Sequence, residues 1–333
     1  MRKFLLTLTP FILACICDFG QALHVDDNYP PPGRLVDIGG RRIHLICSGA
    51  GSPTIVLIPG GGAFSIDWNL VQSGIENTCR VCAYDRAGLG WSDPGPAEET
   101  VEQTITDLHA ALIVAGEKGP FLLVGASIAG SYIQAYQHAY PGEVAGLIFS
   151  NSSNRIGFAG KNHSGLIWNL SEEDIRSVFP FPPANTKTAP ATKLSEPFDR
   201  LPAKWQPVRL WLSNQLQQKW DTTTTGPESL LSTRKEFLRE FDETDQHKND
   251  FPLGKLPVIV ISSNPVSSDS LRYSREGAAA RLDFLSSNSL HIHASGSGHE
   301  IHLYQPDQVI LALKIAVMAL RKSISLTKAS DRQ

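Results

Sequence analysis

The chain has 333 residues, 41% hydrophobic and 19% charged, with a formal net charge of -3. That balance suits a globular protein with a sizeable apolar core and excludes a disordered, charge-rich chain. No dense Lys/Arg run supplies the electrostatic footprint that nucleic acid or an anionic membrane needs, so a small or neutral substrate fits better.

Residues 1–22 read as an export signal. Arg2 and Lys3 precede an apolar run from Phe4 to Cys17, and Gly20-Gln21-Ala22 offers small residues where a signal peptidase would cut. The run is broken by Thr7, Thr9 and Pro10 and falls below the ~20 residues that span a bilayer, so a cleaved leader and a secreted or periplasmic protein are expected. Cys15 after Ile12-Leu13-Ala14 is a poor lipoprotein cleavage site and ranks below the soluble option. Without the leader, Cys47, Cys79 and Cys82 remain, and an oxidising compartment allows one disulfide among them. Cys82 sits within an apolar run and reads as a buried small hydrophobe, which makes Cys47 with Cys79 the expected pair.

Short apolar, β-branched runs predict strands at 35–38, 43–47, 54–58, 80–84, 121–124, 144–149, 257–262 and 290–294, the first two joined as a hairpin through Gly39-Gly40. Helices are predicted over 100–115, 128–140, 273–286 and 306–321. From Thr54 onward this is a β, α alternation, the pattern of a mainly parallel sheet covered by helices on both faces. The alternation stops over 151–255, a stretch with Pro180-Phe181-Pro182-Pro183, helical candidates at 203–219 and 227–242, and Trp168, Trp205, Trp211 and Trp220. It reads as an inserted cap suited to roofing an apolar pocket, each tryptophan being first of all a packing residue. The core is then 35–150 and 256–321, with a polar tail over 322–333.

Three segments carry chemistry. In Phe121-Leu-Leu-Val-Gly125-Ala-Ser127-Ile-Ala129-Gly130 an apolar strand runs through small residues and one serine into a helix, the setting of a nucleophile elbow. Small neighbours let strand and helix backbones pass closely while the turn holds the hydroxyl exposed, so Ser127 is the expected nucleophile. In Ile55-Val-Leu-Ile-Pro59-Gly60-Gly61-Gly62-Ala63 a strand ends in glycines whose backbone N–H groups are unshielded. Gly61, with Gly62 close behind, is the expected oxyanion donor from this loop, and the Ile128 N–H beside the nucleophile is the second. The spacing fits neither a phosphate-binding loop nor a dinucleotide fingerprint, and no cofactor is expected. In Ser295-Gly296-Ser297-Gly298-His299-Glu300 a glycine-rich turn delivers a histidine late in the chain, and His299 is the expected general base. His291 and His293 alternate on the preceding strand as face residues, and no ligand spacing supports a metal site with His299 and His302.

Together with Tyr84-Asp85-Arg86-Ala87-Gly88-Leu89-Gly90-Trp91-Ser92-Asp93, these motifs resemble the α/β-hydrolase superfamily, specifically its esterase and epoxide-hydrolase-like branch, over roughly 35–150 and 255–320. The resemblance implies an eight-stranded, mainly parallel sheet and a structural role for Asp85 and Arg86. It also implies that the catalytic acid follows the sixth or the seventh strand. The sixth-strand position, where related hydrolases read Asp-Ser-Ser, here reads Asn151-Ser152-Ser153, and an asparagine cannot stabilise imidazolium by charge. After the seventh strand, Asp269 stands thirty residues before His299 and is the preferred acid, with Asn151 as a surrogate the second option. The implied activity is cleavage of a small-molecule carboxylic ester through an acyl-enzyme, lactones, thioesters and amides sharing the same chemistry. A serine at the elbow argues against epoxide hydrolysis or dehalogenation, which use aspartate. A non-catalytic binding protein on the same scaffold is the alternative, favoured by Asn151 and by Ala129 in place of the motif's last glycine.

Overall fold

A computed structural model of the chain describes residues 28–96, 100–152, 189–222, 253–263 and 286–331. The leader, Trp168, Asp269, the helical candidate at 227–242 and all but the last residue of the helix predicted at 273–286 lie outside the described residues.

All eight predicted strands form. They are β1 (Arg34–Asp37), β2 (Arg42–Ser48), β3 (Thr54–Ile58), β4 (Val81–Tyr84), β5 (Phe121–Ala126), β6 (Val144–Ser150), β7 (Val258–Ser263) and β8 (Ser289–Ala294), in one sheet ordered β1-β2-β4-β3-β5-β6-β7-β8. β2 pairs antiparallel with β1 and with β4, and the remaining pairs are parallel. The β1–β2 hairpin turns at Gly39 and Gly40, with φ of 102° and 98°, values that side chains disfavour. Both glycine amides donate to Asp37 Oδ1, which pins the turn.

β3 and β5 are buried along their whole length because helices cover both faces. On one face Ile55, Leu57, Leu122, Val124 and Ile148 pack against α1 (Asn69–Ile75) and a long helix near the end of the chain. On the other, Val56, Ile58, Leu123, Leu147 and Phe149 pack against α2 (Val101–Ala115) and α3 (Ala129–Ala139). α2 starts at Thr100, whose side chain accepts the Gln103 amide, and stops at Gly116 in the left-handed region, φ 78°.

The described part of the segment between β6 and β7 carries α4 (Gln206–Thr222). It begins three residues later than the helix predicted at 203, because Pro207 lacks an N–H and is tolerated only in the first turn. Trp205 and Trp211 pack with Leu212, Leu216 and Val208 onto Leu35, Leu89 and Trp91, so these two tryptophans join the segment between β6 and β7 to the rest of the fold. Tyr29 joins them, its ring tilted against Trp211 at 5.4 Å and its carbonyl oxygen accepting the Trp91 indole N–H.

The chain finishes with α5 (Ile301–Tyr304), α6 (Pro306–Lys322) and α7 (Leu326–Ser330), α6 being the long helix behind the first face. The expected polar tail is corrected by α7. Leu326 and Ala329, three residues apart, make one apolar helical face that is buried, while the Leu326 amide donates to Asn288 Oδ1.

The disulfide expectation is also corrected. Register places Cys47 directly opposite Cys82 on antiparallel β2 and β4, and these two form the disulfide. Cys79 precedes β4, is buried as a free thiol, and lies 3.3 Å from an Arg321 Nη2 donor. Burial pushes that thiol up, with Arg321 acting in the opposite sense.

Candidate active site

Ser127 follows β5 directly and leads into α3, with φ of 53°, a left-handed conformation that a side-chain-bearing residue adopts only when the surroundings enforce it. The enforcement is visible in the packing. A Cβ on Gly125 would lie 2.6 Å from the Ala129 carbonyl oxygen, so only glycine lets strand and helix pass. Ala129, which stands where the motif has its last glycine, is fully buried. The Ser127 amide donates to Ser150 O at 3.3 Å, and Ser152 Oγ donates to Ser127 O at 2.6 Å, which ties the elbow to the end of β6.

The glycine loop lies against this elbow. A Cβ on Gly60 would stand 3.0 Å from the Ser127 Cβ. Ala63 N–H donates to Gly60 O in a turn with φ of 66° at Gly62, a hydrogen bond that does not consume the amides of Gly61 and Gly62. Both ends of the loop are held: Arg86 Nη1 donates to Pro59 O, Asp67 Oδ2 accepts the Phe64 N–H, and Asp85 Oδ1 accepts the Ser65 N–H. Asp85 also bonds His44 Nδ1 at 2.8 Å and accepts from the Trp91 amide, all in the buried interior. Asp85 and Arg86 thus make hydrogen bonds to the glycine loop and its flanks, to His44 and to Trp91, contacts that fit the structural role expected from the sequence. Ile128 is the N-cap of α3; the Gly130 and Ser131 amides donate to Ser127 O and Ile128 O, and the Ile128 amide precedes these turns.

His299 sits on the loop between β8 and α5 and is exposed. Its neighbour is Asn151, itself at φ 42° just past β6. Asn151 Nδ2 lies 3.1 Å from His299 O, 3.3 Å from His299 Nδ1 and 2.9 Å from Ser263 Oγ at the end of β7. A carbonyl oxygen only accepts, so the amide nitrogen must face His299, and the imidazole Nδ1 meets a donor rather than an acceptor. Asn151 thus holds the histidine loop in place but offers Nδ1 nothing to donate to, which is the task of the triad acid. Ser127 and His299 converge on the same strand end, through Ser150 and Asn151 respectively. Asp269 lies outside the described residues; β7, which precedes it, ends at Ser263, whose Oγ accepts from Asn151 Nδ2.

His291 and His293 pack on each other with ring centroids 4.1 Å apart, and His291 Nε2 bonds Ser262 Oγ at 2.8 Å. His302 is buried and stacks on Trp68 at 4.4 Å. His291 and His293 thus share one environment at Ser262, and His302 lies in another against Trp68. Among the described residues, the potential ligand group is Cys47, Cys82 and Glu117, whose two sulfurs are joined in the disulfide.

Sequence reading missed a group of buried titratable residues behind the site. Asp67 is fully buried and its Oδ1 accepts Arg209 Nε at 2.7 Å. Burial pushes the Asp67 carboxyl up, opposed by Arg209 and the Phe64 amide. Burial also raises the Glu300 carboxyl, while the neighbouring His299 lowers it. His302 is held down to about 3 by burial, with the charges of His299 and Arg209 adding to the effect. No local motif announces these residues; Asp67 and Arg209 are 142 positions apart.

Comparison with known proteins agrees with this architecture. Residues 55–312 match the alpha/beta hydrolase family, and the chain belongs to that family. A relative named "Probable transporter efuK" of Hormonema carpetanum is 34% identical over 36% of this chain, which spans only 18% of that protein's length. The uncharacterized protein YbdG of Bacillus subtilis is 22% identical over 87% of the chain and 86% of its own length. Among solved structures, a thermophilic esterase from Thermogutta terrifontis superimposes with a TM-score of 0.57 at 19% identity, covering 84% of this chain and 94% of that one, a likeness of fold.

Proposed function

We propose that the chain is an exported serine hydrolase that cleaves a small-molecule carboxylic ester through an acyl-enzyme intermediate. The observation that carries this reading is Ser127 at φ 53° between β5 and α3, a strained serine whose amide and carbonyl are both tied to the end of β6. A structural serine has no need of that strain. Membership of a hydrolase family makes bond cleavage by water the general activity; the serine at the elbow supports a serine mechanism, and a carboxylic ester is the favoured member of the acyl compounds that share this chemistry.

In this mechanism Ser127 Oγ attacks the ester carbonyl as its proton passes to His299 Nε2. The tetrahedral oxyanion is received by the Gly61 and Ile128 N–H groups. His299 then protonates the leaving alcohol, the carbonyl re-forms as an acyl-Ser127, and water activated by His299 releases the acid and restores the serine. The imidazole needs a carboxylate at Nδ1, and Asp269 is the proposed source. The contact of Ser263 with Asn151 supports an approach from the end of β7, and Asn151, donating where an acceptor is required, fits a positioning role. The esterase neighbour agrees with the ester assignment. Export accounts for the basic, apolar and small-residue order of residues 1–22 and suits the Cys47–Cys82 disulfide. Among the described residues no helix is long and apolar enough to cross a membrane.

The second reading, a binding protein on a hydrolase scaffold, draws on Asn151 at the sixth-strand acid position. Fluorophosphonate labelling and p-nitrophenyl ester turnover separate the two. Stoichiometric labelling and turnover that vanish in S127A are expected; folded wild-type protein that neither labels nor turns over would favour binding.

A further inference from the structure

We infer that Arg209, carried by the cap helix α4, is a positioning residue for the glycine loop, so that the oxyanion site is completed only when the cap is docked. The inference rests on the acyl-transfer reading for its catalytic consequence, and on the contacts alone for its structural one. Three clamps hold the loop. Arg86 on Pro59 O and Asp85 on the Ser65 amide come from one segment of the core. The third, Asp67 on the Phe64 amide at 3.0 Å, depends on the cap, because the cation that pairs with this buried carboxylate is Arg209.

The guanidinium is built into the site rather than resting on it. Arg209 Nε donates to Asp67 Oδ1 at 2.7 Å, with the two side chains 7% and 0% exposed. Its guanidinium carbon lies 4.6 Å from the centre of the Phe64 ring and 4.1 Å from that of Phe198. Nη1 bonds Ser213 Oγ, which returns a hydrogen bond to Arg209 O at 2.8 Å. One cap residue therefore grips both the side chain of Phe64 and, through Asp67, its backbone amide, three positions beyond Gly61. Without Arg209, Asp67 becomes a buried carboxylate lacking its countercharge, which must take up a proton or draw in water. Either response frees the Phe64 end of the loop. The same charges act on Glu300, next to His299.

Because oxyanion donors act chiefly on the transition state, misplacing them lowers kcat more than it alters KM. The test compares R209M, R209K, D67N and the double variant D67N/R209M, which removes both charges and keeps the pair assessable if R209M folds poorly. R209M and D67N are expected to lower kcat at least tenfold with KM changed less than about threefold, the double variant to be no worse than either single, and R209K to recover part of the loss. Amide hydrogen exchange over residues 59–66 is expected to accelerate in R209M and D67N and to stay near wild type in R209K. Folded variants with wild-type kcat and unchanged exchange would overturn the inference, as would losses in the two singles that simply multiply in the double. Should wild-type protein neither label with fluorophosphonate nor turn over esters, the serine-hydrolase reading fails while the exchange measurement still decides the link between cap and loop.

Discussion

Acid sensitivity should trace in large part to His302. Its side chain is 2% exposed, stacks on the Trp68 indole at 4.4 Å, leaves Nδ1 without a hydrogen-bond partner, and has Glu300 no nearer than 3.8 Å from Nε2. Burial holds the folded imidazole at about 3, against 6.5 for an ordinary histidine. Between those values the unfolded chain takes up a proton that the folded protein refuses, so stability is complete above about pH 6.5 and declines as pH falls toward 3. At ~1.4 kcal/mol per pH unit the full interval amounts to about 5 kcal/mol, and a drop to pH 5 costs about 2 kcal/mol. The raised carboxyl of Glu300 contributes with the opposite sign, binding its proton more readily when folded, and remains in place when His302 is replaced. H302F keeps a flat ring against Trp68 and removes the orphan nitrogen. Urea unfolding at pH 7.5 and pH 5 should show wild type losing about 2 kcal/mol more than H302F over that interval. Parallel losses in the two proteins would refute the assignment of the acid slope to this residue.

D269N should lower ester turnover by about 10³–10⁴-fold, the scale set by replacing a triad carboxylate with its amide. N151D placed in that background brings a carboxylate to within about 3.3 Å of His299 Nδ1 and should restore at least about tenfold of the loss. Wild-type kcat in D269N would remove Asp269 from the mechanism. C82S, which opens the 35-residue link between β2 and β4, should cost about 3–4 kcal/mol on denaturant unfolding while leaving KM unchanged, and an unaltered midpoint would show that sheet pairing alone suffices there.

The sheet was legible because its central parallel strands, β3 and β5, are short runs buried on both faces, and burial on both faces leaves a continuous apolar signature such as Thr54–Ile58. The elbow and the glycine loop were legible for a related reason: backbone strain and close approach at Gly125, Ser127 and Gly62 are local demands met by local residues. Other features had no local signature. Cys82 pairs with Cys47 because β2 lies antiparallel beside β4 in a particular register, a matter of strand order that neither cysteine's neighbours encode. The last described turn looked polar by composition, although Leu326 and Ala329, spaced for one helical face, are buried while Thr327 and Lys328 stay exposed. Asn151 stands next to His299 across 148 positions, and Arg209 reaches Asp67 across 142. Thus the amino-acid order by itself determined the layered architecture and the serine at its strand-to-helix turn, since propensity, burial period and glycine geometry act over a few residues. Tertiary structure decided which side chain faces the imidazole and which cap residue touches the glycine loop, because those contacts exist only once distant strands and the inserted helix have been brought into register.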